Sequence, residues 1–477
     1  MSTLTKTLLL FALSLSAASA APAGAAAGMD LDLIKNIKNY VMPTILHDIN
    51  TLQLPRIEYK GGYVDNLAFQ FNLASNDSVQ FSFDPAQNAV VLTAQNIFGQ
   101  ITGNFKQRLL LISATGKFKA AFKDGGISLK VVVPLHSQLV DGKLLPKVEV
   151  TTFNIAFDTK KIVISIWGGF LADIGDLFIG LFKGTIIKSI GNGINQNVGP
   201  KLNTSIQSLI LASNGVLPLY KGISMDIQFP ADPLVTSQSL GLYLNATIFN
   251  ASNGYRVPDS VIQDVSLNFT SSNQILIDTS RWVTDSVLDL VQQTGILDIL
   301  IDQEMLGPVY GPQFLNTSFG DGVFPGLNAK YGRNQPMSLR IFTSKAPTSF
   351  FHVGQLGIET TFDIDVFVRD QLAVSIRVIN ADGSISVALD KGTLSFQILE
   401  LYMNDAVVLS SEIGDIPIWD LKTFINFAIK LGLPYMNGFL NRGIPLPDTY
   451  FDLVRIKDAS FTAMEGYVQV GIVPEFI

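Results

Sequence analysis

Residues that could carry out catalysis or bind a metal ion are few in this sequence, and they are scattered. The three histidines, His47, His136 and His352, lack the H-E-x-x-H spacing of a zinc site, and there is no cysteine. The lack of cysteine excludes thiolate chemistry and disulfides. Asp363 and Asp365 face the same way on a strand, where a solvated pair is the default interpretation and acid–base catalysis the alternative. The sequence therefore predicts a protein that is not an enzyme and holds no metal or cofactor.

Motifs for nucleotide binding and for serine hydrolysis are missing as well. The sequence contains neither G-x-S-x-G nor G-x-x-x-x-G-K-[ST]. Gly191-Asn192-Gly193 begins like a dinucleotide-binding fingerprint, but Gln196 stands where that fingerprint needs a glycine. The net charge of −7 argues against a protein that binds nucleic acid along its length.

Basic residues are concentrated in one part of the first half. The net charge is +4 over residues 29–220 and −12 over residues 221–477. Between residues 106 and 130 one acid, Asp124, accompanies six basic residues, namely Lys106, Arg108, Lys117, Lys119, Lys123 and Lys130. The first five are our candidates for contact with anionic headgroups or a membrane, at about 1 kcal/mol per charge near such a surface. An ordinary solvated hairpin is the alternative.

The apolar spacing divides the chain into two halves with the same order of elements: a helix, several strands and a long helix. In the first half we predict a helix over about 30–52, kinked at Pro43, and a long helix over about 170–211, broken near Gly199-Pro200. Alternating apolar residues predict strands around 67–73, 118–122 and 127–133.

The second half is predicted to contain helices over about 280–296 and 418–440, the latter interrupted at Pro434. Between them lies the clearest strand of the chain, 356–368, followed by strands at 372–378, 385–389 and 394–398. Asp382-Gly383 predicts a hairpin turn between two of these strands. The fold class is α+β: two similar domains, each with a long curled antiparallel sheet wrapped around long apolar helices.

The helices are unusually apolar, and two interpretations remain open. They either fill a dry core, as in an adhesion or structural protein, or line a cavity for an apolar ligand. For the cavity, we predict that acyl chains contact these residues: Ile34, Ile37, Val41, Ile45, Leu177, Leu181, Ile190, Trp282, Val287, Val291, Phe424, Phe427 and Leu431.

The first twenty residues have the composition of a secretory signal peptide. Lys6 precedes the apolar run Leu8–Leu15, and Ala18-Ser19-Ala20 fits the small-x-small cleavage rule. We therefore expect an extracellular protein. Glycosylation sequons occur at Asn76, Asn203, Asn245, Asn250, Asn268 and Asn316.

Several segments resemble the bactericidal/permeability-increasing and lipopolysaccharide-binding protein family, of the tubular lipid-binding superfamily. Gly443-Ile444-Pro445-Leu446-Pro447 is similar to the family's G-F-P-L-P turn, and it follows a helix that ends in 437–441. Residues 101–108 with 113–122 resemble the family's basic strand–turn–strand segment, and 282–297 resemble the helix that opens its second domain.

The resemblance implies an elongated, boomerang-like molecule of two lipid-binding barrels joined by a central sheet. We expect a first barrel over 29–213, a proline-containing linker and central sheet over 214–240, and a second barrel over 241–477. The implied protein is a monomer that binds phospholipid or a lipopolysaccharide-like lipid and docks peripherally on a membrane or lipid particle. Lipid transfer and innate defence are both open. The family's usual disulfide between a strand and the long helix of its first domain is absent, so packing alone is expected to hold that helix.

Overall fold

The computed structural model describes residues 23–109, 112–168, 172–220, 222–255, 258, 265, 275–311, 314–390, 392–445 and 454–476. The predicted signal peptide, the sequon at Asn268 and the Leu446-Pro447 end of the resembling turn lie outside the described residues. The described helices are α1 (Leu31–Asn50), α2 (Ala172–Leu181), α3 (Ile187–Ser213), α4 (Arg281–Gln293), α5 (Gln303–Tyr310), α6 (Thr317–Gly320), α7 (Leu327–Tyr331) and α8 (Ile418–Leu440).

The strands of the first half include a very long hairpin. They are β1 (Ala25–Asp30), β2 (Ile57–Tyr59), β3 (Gly62–Leu73), β4 (Val79–Asp84), β5 (Ala89–Leu109), β6 (Ile112–Val140), β7 (Lys143–Val148), β8 (Thr152–Phe157), β9 (Ile162–Gly168), β10 (Val216–Tyr220) and β11 (Ile223–Asp226). Strands β2, β3, β5, β6 and β7 pair in that order, while β4 pairs with β5, and β8 and β9 pair with β6.

The strands of the second half repeat the long hairpin with β19 and β20. They are β12 (Leu234–Val235), β13 (Ser239–Leu244), β14 (Ile248–Asn250), β15 (Ile275–Ser280), β16 (Asp298–Ile301), β17 (Met337–Thr343), β18 (Thr348–His352), β19 (Gln355–Val368), β20 (Gln371–Asp390), β21 (Thr393–Tyr402), β22 (Asp405–Ser411), β23 (Ile444–Pro445), β24 (Val454–Met464) and β25 (Tyr467–Phe476). Strands β16, β17, β19, β20, β21 and β23 pair in that order, with β18 on β19 and β22 on β20.

A separate sheet joins segments from distant parts of the sequence. Its order is β12-β13-β1-β15-β25-β24, so the first described strand pairs with β13 and β15, and β15 pairs with the last strand. A small sheet of β10, β11 and β14 lies apart from it. The predicted division of the chain at 214–240 stays a prediction.

Each half has its own apolar core, built by alternation along the strands and by the inner faces of the helices. In the first half α1, α2 and α3 pack into one cluster with β3, β5 and β6, and in the second half α8 packs with β17, β19 and β20. Helix α1 begins at Asp30, whose carboxylate accepts a hydrogen bond from the backbone N–H of Leu33 (2.8 Å). These are the curled antiparallel sheets around long helices that the sequence predicts.

Three predicted breaks in the secondary structure, one in a strand and two in helices, are wrong. Asp382-Gly383 is not a turn, because both residues lie inside β20 and pair with β21. Helix α3 continues through Pro200, and α8 continues through Pro434. A proline removes one backbone hydrogen bond from a helix. At the exposed Pro200, water can reach the carbonyl group that loses its partner.

Candidate functional site

An apolar cavity lies in the second half, where α4 and the end of α8 cover the sheet. Its volume is about 190 Å³. It is lined by Thr284, Val287, Leu288, Val291, Ile296, Leu297, Pro347, Leu356, Ile358, Ile385, Val387, Phe396, Ile398, Phe439, Leu440 and Gly443. We call it the α4 cavity.

A second cavity of about 60 Å³ adjoins the α4 cavity and continues beneath helix α8. Both are lined by Leu297, Pro347, Ile358 and Ile398. The smaller one, which we call the α8 cavity, also contacts Ala428, Ile429, Gly432 and Met436 of α8. The two cavities are therefore neighbours that share part of their wall.

The first half contains a smaller cavity of about 40 Å³ between α1, α3 and the sheet. Val41 and Ile45 of α1 and Leu202 of α3 close it against strand residues that include Leu92 and Val131. The same arrangement of helix side chains over an inward strand face thus occurs in both halves.

Four of the predicted acyl-chain contacts line these cavities: Val41, Ile45, Val287 and Val291. The others are placed elsewhere. Ile34, Ile190 and Leu431 are buried in the cores, and Leu177 and Leu181 are half-buried on α2. The side chain of Ile37 lies outside the described residues. The assignment of acyl contacts to these positions stays a prediction.

The predicted aromatic contacts are held by partners of their own. Phe424 packs edge-on against Phe324, with ring centres 4.4 Å apart. Phe427 contacts the rings of Phe314 and Phe319. The indole N–H of Trp282 donates a hydrogen bond to the hydroxyl of Thr247 (2.7 Å). The sequence reasoning missed instead the α8 residues Ala428, Ile429, Gly432 and Met436, whose small or flexible side chains leave space beneath the helix.

In each half, an asparagine side chain on a helix forms two hydrogen bonds to the sheet, one with the backbone N–H and one with the backbone carbonyl of the same residue. Asn50 at the end of α1 donates to the carbonyl of Phe71 (3.0 Å) and accepts from its N–H (2.7 Å). Asn437 of α8 donates to the carbonyl of Ile398 and accepts from its N–H, both at 2.8 Å. We call such a pair of bonds an amide clip.

Helix α3 forms the third amide clip, with Val150 between β7 and β8. Two further side-chain amides of α3 bond to the backbone of these two strands. Asn203 accepts from the N–H of Val150 (2.5 Å) and donates to its carbonyl (3.2 Å). Asn195 accepts from the N–H of Ile155 (2.8 Å), and Gln207 donates to the carbonyl of Val148 (3.0 Å). The expectation that packing alone holds this helix is therefore wrong, because side-chain amides bond it to the sheet.

The six basic residues between residues 106 and 130 lie on the outward face of the β5–β6 hairpin. Lys106 is opposite Thr115, and Lys117 and Lys119 are opposite Asn104 and Thr102. Within the described part of the chain, the side chains of Lys106, Arg108, Lys117, Lys119 and Lys123 form no ion pair. Lys130 is thirteen residues beyond Lys117 on β6, about 43 Å away at the rise of a strand, so it does not belong to the hairpin end.

An exposed tryptophan adjoins these charges, and the sequence reasoning missed it. Trp167 on β9 is opposite Lys117 and remains 55% exposed. An amphipathic indole beside lysines is typical of surfaces that contact the headgroup region of a bilayer. We call Lys106, Arg108, Lys117, Lys119, Lys123 and Trp167 the hairpin surface.

The two carboxylates considered for catalysis are not the solvated pair that the sequence favoured, because Asp363 is buried, Asp365 is half-buried, and each is bound by a side chain of β20. Asp363 forms two hydrogen bonds with the guanidinium of Arg377 (2.7 and 2.8 Å), and this contact raises the pKa of Arg377. Asp365 accepts a hydrogen bond from Ser375 (2.6 Å). Among the described residues, no group of three or more histidine, aspartate or glutamate side chains is placed to hold a metal ion.

Three of the sequon asparagines already serve the fold. Asn203 holds Val150, Asn245 accepts from the N–H of Thr247 (3.2 Å), and Asn316 accepts from the N–H of Phe319 (2.9 Å) at the start of α6. Asn250 accepts from the N–H of Ser252 at a surface turn. Glycosylation at any of these positions stays a prediction. None of the helices in the described ranges has both the length and the apolar character needed to cross a membrane.

Comparison with known proteins gives one family and one related fold. The family model for the C-terminal domain of the LBP / BPI / CETP family matches residues 219–473. The crystal structure of lipopolysaccharide binding protein covers 96% of this chain and all of its own, with 16% identity and a TM-score of 0.58. Takeout 1 of Epiphyas postvittana covers 37% of this chain and 87% of its own, at 12% identity and a TM-score of 0.24, too small a likeness to indicate a shared fold. No curated protein matches the sequence.

Proposed function

Since the chain belongs to the LBP / BPI / CETP family, a family of lipid-binding proteins, we propose that it is a secreted carrier of phospholipid-like lipid. The acyl chains occupy the apolar cavities of the two halves, and the headgroup lies at the surface. The carrier takes up its cargo from a membrane or lipid particle, on which it docks without crossing it.

The α4 cavity is the observation that supports this proposal best. Of the sixteen described residues that line it, fifteen lack a polar side chain, Thr284 being the other. Apolar cavities of about 150 Å³ stay dry and admit benzene, so a cavity of about 190 Å³ has room for part of an acyl chain. Each methylene group that leaves water contributes about 0.8 kcal/mol, so two chains bind firmly without a charged anchor.

The hairpin surface supports uptake from an anionic lipid layer. Its cations have no partner among the described side chains, so they are available to phosphate groups, and Trp167 is exposed beside them. The same surface favours a second candidate function, recognition of bacterial lipopolysaccharide, which also combines acyl chains with negative charge. Competition distinguishes the two functions: a lipopolysaccharide receptor releases phospholipid when lipopolysaccharide is added, and a dedicated phospholipid carrier does not.

We expect the triple variant Lys117→Gln, Lys119→Gln, Lys123→Gln to transfer fluorescent phospholipid from anionic vesicles at least tenfold more slowly than the parent. Three charges at about 1 kcal/mol each correspond to roughly a hundredfold in binding, so a tenfold loss is a conservative lower bound, and the difference should shrink at high salt. Transfer is measured as the loss of self-quenching when labelled lipid leaves donor vesicles. Blue-shifted tryptophan emission on vesicle binding reports docking.

The matched control removes three exposed lysines of the other half: Lys422→Gln, Lys430→Gln, Lys457→Gln. It changes the net charge equally and should leave the transfer rate unchanged. Equal slowing by both triple variants would mean that total charge, and not the hairpin surface, governs docking. If the parent protein transfers no labelled lipid, the proposal of a carrier is wrong.

A further inference from the structure

The inner face of strand β19 contains one polar position in an otherwise apolar row. The residues that alternate toward the core are Leu356, Ile358, Thr360, Phe362, Ile364, Val366 and Val368. Leu356 and Ile358 line the α4 cavity, and Ile358, Thr360 and Phe362 line the α8 cavity. Thr360 is therefore a polar residue in the wall of an apolar space, and its hydroxyl oxygen lies just beneath the surface of that wall.

The hydroxyl of Thr360 is buried and has no hydrogen-bond partner among the described residues. The other threonine of the α8 cavity differs in this respect. Thr343 contacts the side-chain amide oxygen of Gln292 through its hydroxyl, and its carbonyl accepts from the amide of Gln292 (2.8 Å). A buried hydroxyl without a hydrogen-bond partner is destabilising. A bound molecule that offers an acceptor to the hydroxyl of Thr360 therefore binds more tightly than one that does not.

We propose that Thr360 donates a hydrogen bond to the ester carbonyl oxygen of an acyl lipid bound in the two adjoining cavities. The inference rests on the proposed function and narrows it, since it names the chemical group that this half recognises. The remaining lining residues accommodate hydrocarbon on both sides of the hydroxyl, toward α8 on one side and toward α4 on the other. Thr360 thus sets which part of the lipid lies in the α8 cavity.

A neutral ester fits this position better than a free fatty acid does. Among the described residues, no lysine, arginine or histidine lines either cavity. A carboxylate would therefore lose its hydration without gaining a counter-ion, which is far more costly than burying an ester. A pure hydrocarbon fits the space but leaves the hydroxyl unpaired. The expected order of affinity for chains of one length is ester above hydrocarbon above carboxylate.

The test compares Thr360→Val with the parent in the delipidated full-length protein. Methyl oleate, oleate and octadecene each displace the hydrocarbon dye diphenylhexatriene, and displacement gives their affinities. Valine keeps the shape of threonine and removes the hydroxyl. The affinity for methyl oleate should fall about three- to tenfold, the range of one neutral hydrogen bond, while the affinity for octadecene stays unchanged. The cavity of the first half contributes the same background in both proteins.

Two further variants test whether the effect is specific to the hydroxyl group of Thr360. Thr360→Ser restores the hydroxyl and should regain most of the affinity for the ester. Thr361→Val makes the same substitution one residue away, where the hydroxyl accepts a hydrogen bond from the N–H of Asn380 (3.3 Å) and lines neither cavity, and it should leave all three affinities unchanged. The lipid-free Thr360→Val protein should melt no lower than the parent, because it no longer buries an unpaired hydroxyl.

Equal losses for methyl oleate and octadecene would overturn the role of Thr360, since they would report a change of shape. Unchanged affinity for methyl oleate would also overturn it and leave the proposed carrier function intact. A loss of affinity confined to oleate would mean that Thr360 recognises a free fatty acid and not an ester. If none of the three molecules displaces the dye from the parent, the carrier function itself fails, and this inference fails with it.

Discussion

Val291→Trp should remove most of the lipid bound by the second half and leave the lipid-free protein about as stable as the parent. Val291 projects from α4 into the α4 cavity, where an indole fills space that an acyl chain would otherwise occupy. In a dry core the same enlargement would overpack and cost roughly 1–3 kcal/mol. Bound fatty acyl chains per protein molecule and the melting temperature of delipidated samples measure the two quantities.

The control for this variant is Val353→Trp, at a hairpin position that is 76% exposed. It adds the same side chain outside every cavity described above and should change neither quantity. If Val291→Trp lowers the melting temperature of the lipid-free protein and leaves bound lipid unchanged, the α4 cavity is a packing imperfection and not a binding site.

Asn203→Leu should lower the free energy of unfolding of the first half by about 2–4 kcal/mol. The substitution keeps the size of the side chain but leaves the N–H and carbonyl of the buried Val150 unpaired, and each unpaired group costs about 1–3 kcal/mol. In a unit of this size the first thermal transition should move down by roughly 5–10 °C. Differential scanning calorimetry measures this shift directly.

Asn197→Leu in the same helix is the matched control. Asn197 is exposed, and its amide bonds only to the carbonyl of Gly193 within α3, so its loss should shift the transition little. Asn437→Leu removes the corresponding amide clip on Ile398 and should destabilise the second half instead. Equal melting of the Asn197 and Asn203 variants would show that packing holds α3 and that the amide clip is incidental.

The helices and strands could be predicted from the sequence because their apolar residues recur at a regular spacing over many residues. The strand predicted at 356–368 is β19 with one further residue, and the helix predicted at 418–440 has those bounds in the structure. The family resemblance, from short segments such as 443–447, is confirmed by the family match over 219–473. The prediction of a turn at Asp382-Gly383 was wrong because pairing with β21 keeps these residues extended, although their types favour a turn.

The site was harder to predict because it depends on contacts between distant residues. Apolar helix positions that fill a core and those that line a cavity have the same period, so Phe424 and Val291 could not be told apart by sequence. Asn203 and Val150 are fifty-three residues apart, and Asn437 and Ile398 thirty-nine. A polar residue in an apolar row, such as Thr360, is the one signal of this kind that the sequence does contain.

Lipid that accompanies the purified protein tests the central claim most directly. The protein is secreted from a eukaryotic host, purified without detergent, and weighed by native mass spectrometry before and after solvent extraction. We predict a mass in excess of the glycosylated chain that matches one or two acyl lipids and disappears on extraction, with the same lipids recovered in the extract. A mass equal to that of the glycosylated chain alone, together with an extract free of acyl lipid even after incubation with phospholipid vesicles, would contradict lipid binding.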